Sequence, residues 1–191
     1  MAKIESPTAY TGQKATENRW GSIRIANQAE VNAGTVKDAA VTPKTLMENL
    51  GTSGFLQWAD VTITAAEVKA LATTPKELVA APAAGSFHQF MGAVFKLNYG
   101  SEVFAESGDN LGVKYTNASG VQVSANIETT GWIDQSADTI TNAIPAGDAI
   151  VAAASSEAQA LVLDNLGSNI TGNASNDSTV TVRTYYVTQA L

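Results

Sequence analysis

The chain contains no cysteine. That excludes disulfide frameworks, thiolate metal sites and cysteine nucleophiles together, and leaves stability to packing or to association of subunits. Charge is scarce as well. Charged residues make up 15% of the 191 residues, against about a quarter in an average soluble protein. Ala, Thr, Asn, Ser and Gly fill their place, as in β-rich proteins with many turns. Lys and Arg number 11 against 18 Asp and Glu, for a net charge of -7. No run of basic residues exists, and phosphate contacts need cations gathered on one face, so nucleic-acid binding is not expected. Long apolar runs are missing too. The longest, Ala149 to Ala154, is far too short to cross a bilayer, so no membrane is implied. Met1 to Pro7 holds no apolar stretch of the kind a secretory signal needs.

What is present suffices for a core, at 45% hydrophobic residues. Residues 1–19 are polar, carry Pro7 and Gly12, show no periodicity and read as an extended arm. Residues 20–50 read as a small strand–helix module. Trp20 to Ile25 alternates like a half-buried strand. Asn27-Gln28-Ala29-Glu30 is a capping-box variant that starts a brief helix to about Ala33, with Gly34 as its stop. Thr42-Pro43 opens a second helix, a hydroxyl cap with proline at the first helical position, and Leu46 and Leu50 share its face. Residues 51–57 read as a linker and 58–191 as a second domain.

That domain reads as mainly β. It opens with a strand at Val61 to Ile63, then a capping box, Thr64-Ala65-Ala66-Glu67, predicts a short helix ending near Leu71. Strands follow at about 76–81, 87–99, 111–117, 121–129, 139–144, 149–154, 159–165 and 179–187, separated by Gly-, Asn- and Asp-rich turns. This number and spacing of strands predicts a sandwich of jelly-roll type, with another Greek-key topology as its competitor.

The stretch Gly21-Ser22-Ile23-Arg24-Ile25-Ala26-Asn27-Gln28-Ala29-Glu30-Val31-Asn32-Ala33-Gly34-Thr35, followed by Ala40-Val41-Thr42-Pro43-Lys44-Thr45-Leu46, resembles a short module of bacteriophage tail fibres and related virion fibre proteins. In that module a strand leads through Ala-Glu into Gly-Thr, and a variable gap precedes Val-Thr-Pro. The match covers about a sixth of the chain, and Val36 stands where an acidic residue is usual. The second domain resembles small phage β-sandwich proteins more loosely, through Ala72-Thr73-Thr74-Pro75 and Val113-Lys114-Tyr115-Thr116. The resemblance implies a virion protein made in the host bacterial cytoplasm and carried on the particle surface. It implies a homotrimer, with Trp20, Ile23, Ile25, Val31, Val41, Pro43, Leu46 and Leu50 serving attachment and association. Two roles fit it. One is capsid decoration, as a cement or head-fibre protein on the major capsid protein. The other is a tail fibre or adhesin on tail or baseplate proteins. The chain has no internal repeat of the kind a long shaft needs, which favours decoration.

Signals for chemistry are sparse, and neither enzymatic activity nor a cofactor or metal is expected. His88 is the single histidine, lies between aromatics, and has no nucleophile elbow beside it. Glu102, Glu106, Asp109, Asp134, Asp138, Asp148 and Asp164 read as turn caps and a solvated rim. Residues 167–178 are rich in side-chain oxygens but hold one charge, Asp177, and read as a mobile polar loop. Trp132, Asn169, Asn173 and Asp177 are the candidate receptor-facing residues, with core burial as the default reading for Trp132.

Overall fold

The computed structural model describes residues 24–34, 39–44, 46, 55–106, 108–147 and 151–191. The chain divides into two compact units, Met1–Ser53 and Gly54–Leu191. The expected arm, Trp20, Ile23, Leu50 and Gly51 lie outside the described residues.

In the first unit, β1 (Arg24–Ile25) pairs in parallel with β2 (Ala39–Ala40), and the Ala26 N–H donates to the Ala40 carbonyl at 2.9 Å. Between them α1 (Gln28–Ala33) begins at Asn27 as the sequence predicts. The Asn27 side chain accepts from the Glu30 N–H, and the Glu30 carboxylate accepts from the Asn27 N–H, both at 3.0 Å. Gly34 ends the helix at φ 64°, a conformation that glycine adopts without a steric penalty. Where a second helix was expected from Thr42-Pro43, the Leu46 N–H donates to the Thr42 carbonyl at 3.0 Å, and residues 47–50 of that helix lie outside the described residues.

The second unit is a β-sandwich. Its strands are β3 (Leu56–Ile63), β4 (Lys76–Val79), β5 (Ser86–Asn98), β6 (Phe104–Ala105), β7 (Leu111–Tyr115), β8 (Thr139–Ala143), β9 (Leu161–Asn165), β10 (Thr171–Gly172) and β11 (Thr179–Ala190). One-turn helices α2 (Ala65–Val68) and α3 (Ala153–Ser156) interrupt them. One sheet has the order β3-β11-β5-β8 and the other β4-β9-β7. Residues 121–127 extend the second sheet beside β7. Leu111 and Ile127 exchange both backbone bonds at 2.9 Å, and the Val123 N–H donates to the Val113 carbonyl at 2.8 Å. If 121–127 is counted as a broken strand, the sandwich strands pair first with eighth, second with seventh, third with sixth and fourth with fifth. That nesting is one long hairpin wound into two sheets, the jelly-roll order.

Several boundaries differ from the sequence reading. β3 starts at Leu56, inside the expected linker, because both alternate sets of its side chains are partly apolar and pairing with β11 decides the matter. Residues 121–127 form bridges in place of a continuous strand. The Ser124 hydroxyl takes the Val113 N–H at 2.9 Å, while the Ala125 N–H turns to the Ile144 carbonyl at 2.9 Å. The strand expected at 149–154 is also corrected: its described part, residues 151–154, runs into α3. β6 and β10, two residues each, pair where only loop was expected.

The core lies between the sheets. Ile63, Phe95, Val113, Ile133, Leu161 and Val182 are fully excluded from solvent. Each such side chain contributes on the order of 1.5–3 kcal/mol by burial. β11 pairs with β3 on one side and β5 on the other, with a bulge at Tyr185/Tyr186 that leaves Met91 as the extra residue of β5. Gly92 beside it has φ 147°, and a Cβ there would meet the Ala143 carbonyl at 3.2 Å. The bulge therefore demands glycine.

Candidate functional site

The winding places the connections of the sandwich at two opposite ends. Where β3 begins and β11 ends, the chain forms the proximal end, with residues 80–85, 116–120 and 144–160. At the distal end lie four connections, residues 64–75, 99–110, 128–138 and 166–178. The first strand of the second unit, β3, begins at the end opposite these four loops.

The distal loops are tied to one another. α2 starts at Thr64 in a complete capping box, and Glu67 also pairs with Lys76 at 2.5 Å. The Lys76 ammonium and the Thr64 donors hold the Glu67 carboxyl down to about 2. The Asn169 side chain accepts from the Ala72 N–H at 2.9 Å, and the Lys69 ammonium donates to the Asn173 carbonyl at 3.0 Å. Asp177 Oδ1 accepts from the Ser101 N–H at 2.7 Å and from its hydroxyl at 3.0 Å, which lowers the Asp177 pKa. Asp109 Oδ2 accepts from the Ser168 N–H at 2.7 Å, and the β6–β10 pair closes the same seam. Residues 166–178, expected from sequence as a mobile polar loop, are therefore tied to two other distal loops.

The structure brings three of the four receptor-facing candidates, Asn169, Asn173 and Asp177, into this element. Asn173 and Asp177 are exposed, while Asn169 is half-buried. All three also serve the loop itself, Asn173 by accepting the Ser175 N–H at 3.0 Å. Trp132 is corrected. It is 5% exposed, packs on Phe95 with ring centroids 6.0 Å apart, and donates its indole N–H to the Glu128 carbonyl. A tryptophan so engaged belongs to the core.

Of the attachment residues, Ile25, Val41, Pro43 and Leu46 are exposed and Val31 is half-buried. In the sandwich, sequence reasoning missed the outer face of the four-stranded sheet. Register puts Leu56, Val187 and Gln89 in one row of that face, and Trp58 and Tyr185 in the next. Trp58 is 61% exposed, Leu56 57% and Met91 44%. The available signal was Leu56 and Trp58, apolar at the positions that alternate with the inward-facing Ala59, Val61 and Ile63. A cleft of about 440 Å³ opens at the proximal end, lined mainly by Phe87, Phe90, Tyr115, Val123, Val151 and Leu191. Its walls mix these side chains with polar groups, Gln89 and Ser156 among them. Tyr115, the only titratable side chain of its lining among the described residues, donates to the His88 carbonyl at 2.5 Å, and burial raises its pKa.

His88 is buried, with Nε2 2.9 Å from the Ala80 carbonyl and Nδ1 3.1 Å from the Thr188 hydroxyl. Nε2 must donate to the carbonyl, and the hydroxyl can serve Nδ1 as donor or acceptor, so both ring nitrogens are engaged. Burial lowers its pKa. Asp134 and Asp138 act as turn caps, on the Gly131 N–H at 2.9 Å and the Tyr99 N–H at 3.0 Å. Asp164 differs from expectation, since it lies on β9 and pairs with Lys114 at 2.7 Å. Among the described residues no three His, Cys, Asp or Glu are grouped to hold a metal.

No family model matches the chain, and no curated protein matches it. Among solved structures it is similar to one described as a cyanophage Pam1 capsid asymmetric unit. The identity is 13% over 81% of this chain and 94% of that one, with a TM-score of 0.38. An overlap that slight transfers no role.

Proposed function

We propose that the chain is a non-enzymatic structural protein of a bacteriophage particle. It decorates the capsid, held to the major capsid protein through its N-terminal unit, with the jelly roll facing outward as a homotrimer. The observation that carries the reading is the polarity of the jelly roll. Its first strand, β3, starts at one end, and four mutually braced loops crown the other. An anchored protein whose free end meets the medium needs that arrangement. Braced loops expose few cleavable backbone segments, and repeated weak anchors add up through effective concentration when copies associate.

The engaged state of His88 and the commitment of the carboxylates to caps and pairs support a binding role over catalysis. A second reading, a tail fibre or adhesin, draws on the exposed polar tip at Asn173 and Asp177, which suits contact with a host-surface receptor. Co-sedimentation of purified protein with particles stripped of it tests the anchor. Leu46→Asp or Trp20→Ala is expected to reduce occupancy, by placing a charge or a cavity at the contact. Unchanged occupancy in both variants would reject the assigned anchor.

A further inference from the structure

We infer that copies of this chain meet one another through the proximal half of the outer face of the β3-β11-β5-β8 sheet, centred on Trp58. The inference rests on the anchored reading above in one respect, that the proximal end is held.

Three observations converge on a second copy as the occupant. The first is the composition of the face. Leu56, Trp58, Met91, Tyr185 and Val187 lie in adjoining rows, and Trp58, Leu56 and Met91 are the most exposed of them. Scattered exposed apolar residues are ordinary, but a contiguous group rich in aromatics and methionine marks a contact surface. It also borders β3, an edge strand of eight residues that pairs only with β11 among the described residues. An uncovered apolar edge of that length invites uncontrolled association.

The second observation is charge. The chain carries -7, so two copies repel on approach through most orientations. This face removes its own charges from the balance. Asp60 and Arg183 stand opposite each other in register and form a two-pronged pair, Nε to Oδ1 and Nη2 to Oδ2, each 2.7 Å. Towards the distal end Lys96 pairs with Asp138 at 3.0 Å. A copy meeting a copy here opposes no excess of either sign. The other flank of the sandwich carries Glu77, Gln122 and Asn126 and the buried Lys114–Asp164 pair, and offers no comparable surface.

The third is direction. The strands run from the proximal to the distal end, so the sheet face is a flank. With the proximal end held on a particle, the flank meets whatever is anchored alongside it, and that is another copy.

Sedimentation equilibrium of the full chain tests the inference, with particle binding read on the same samples. The wild type is expected at a multiple of 19.8 kDa. Trp58→Glu and Met91→Lys are each expected to weaken association about thirtyfold or more, the effect of losing a central anchor. Both side chains are largely exposed, so circular dichroism and the thermal midpoint should keep their folded values. Val121→Glu, at an exposed position of the other sheet, should leave the mass unchanged. A wild type that sediments as one chain overturns the inference, and so do folded Trp58 and Met91 variants with wild-type mass. An assembly that Trp58→Glu dissolves, in a protein that never binds particles, upholds the interface and counts against the virion reading.

Discussion

Removing one partner of the Lys114–Asp164 pair should do more damage than removing both. Lys114 Nζ lies 2.7 Å from Asp164 Oδ2, with the side chains 14% and 3% exposed. Asp164 Oδ1 has no hydrogen-bond partner, so the ammonium carries most of the compensation for burying the carboxylate. Lys114→Met keeps the aliphatic stem but strands that charge, a change that typically costs about 3–5 kcal/mol. At roughly 2–4 °C per kcal/mol for a unit of this size, the midpoint should fall by about 10 °C. Lys114 also donates to the Ala118 carbonyl at 2.7 Å, a bond whose loss adds about 1 kcal/mol. Adding Asp164→Leu removes the stranded charge, and a buried pair replaced by apolar groups is often close to neutral. The double variant should therefore recover all but the Ala118 share. Urea unfolding followed by tryptophan fluorescence reads the cycle, and the expected coupling is at least about 3 kcal/mol. A single variant that loses less than about 1 kcal/mol, or a double variant no more stable than the single, would refute the reasoning.

Because burial lowers the His88 pKa, the unfolded chain takes the proton more readily than the folded one. Stability should be full above the ordinary histidine value of about 6.5 and decline as pH falls below it, a slope that His88→Gln should flatten in thermal melts. Glu67 contributes stability above its unfolded pKa that is lost as pH falls towards about 2, and Thr64→Ala should cost about 1 kcal/mol of cap in the same assay. Gly120→Ala would place a Cβ 1.6 Å from the Tyr115 carbonyl, so the 116–120 turn must open, and a loss of at least about 2 kcal/mol is expected on urea unfolding. Deleting residues 1–53 should leave the cooperative melt of the sandwich intact while abolishing co-sedimentation with particles.

Local signals were legible in the sequence because their physics is local. Asn27 and Glu30, and Thr64 and Glu67, lie three residues apart, and both pairs form the reciprocal caps that spacing predicts. β5 and β11 alternate over many residues and were placed within three residues at each end. Non-local decisions were not legible. The bond from the Ser101 N–H to Asp177 spans 76 positions, so nothing near Asp177 announces that its loop is braced. Trp132 could be weighed as core or as a receptor-facing residue, but its partner Phe95 lies 37 positions away and nothing local names it. Leu56 and Trp58 were overlooked as a face because an apolar outward surface blurs the alternation that marks a strand. Residues 151–154 share small apolar composition with buried strands, and composition alone does not separate a short helix from them.

The most direct test of the central claim is electron microscopy of intact particles of the encoding phage, labelled with an antibody against residues 54–191. The account predicts label over the head at many copies. Label confined to the tail tip would contradict decoration and favour the adhesin reading, and particles without label would contradict a virion role.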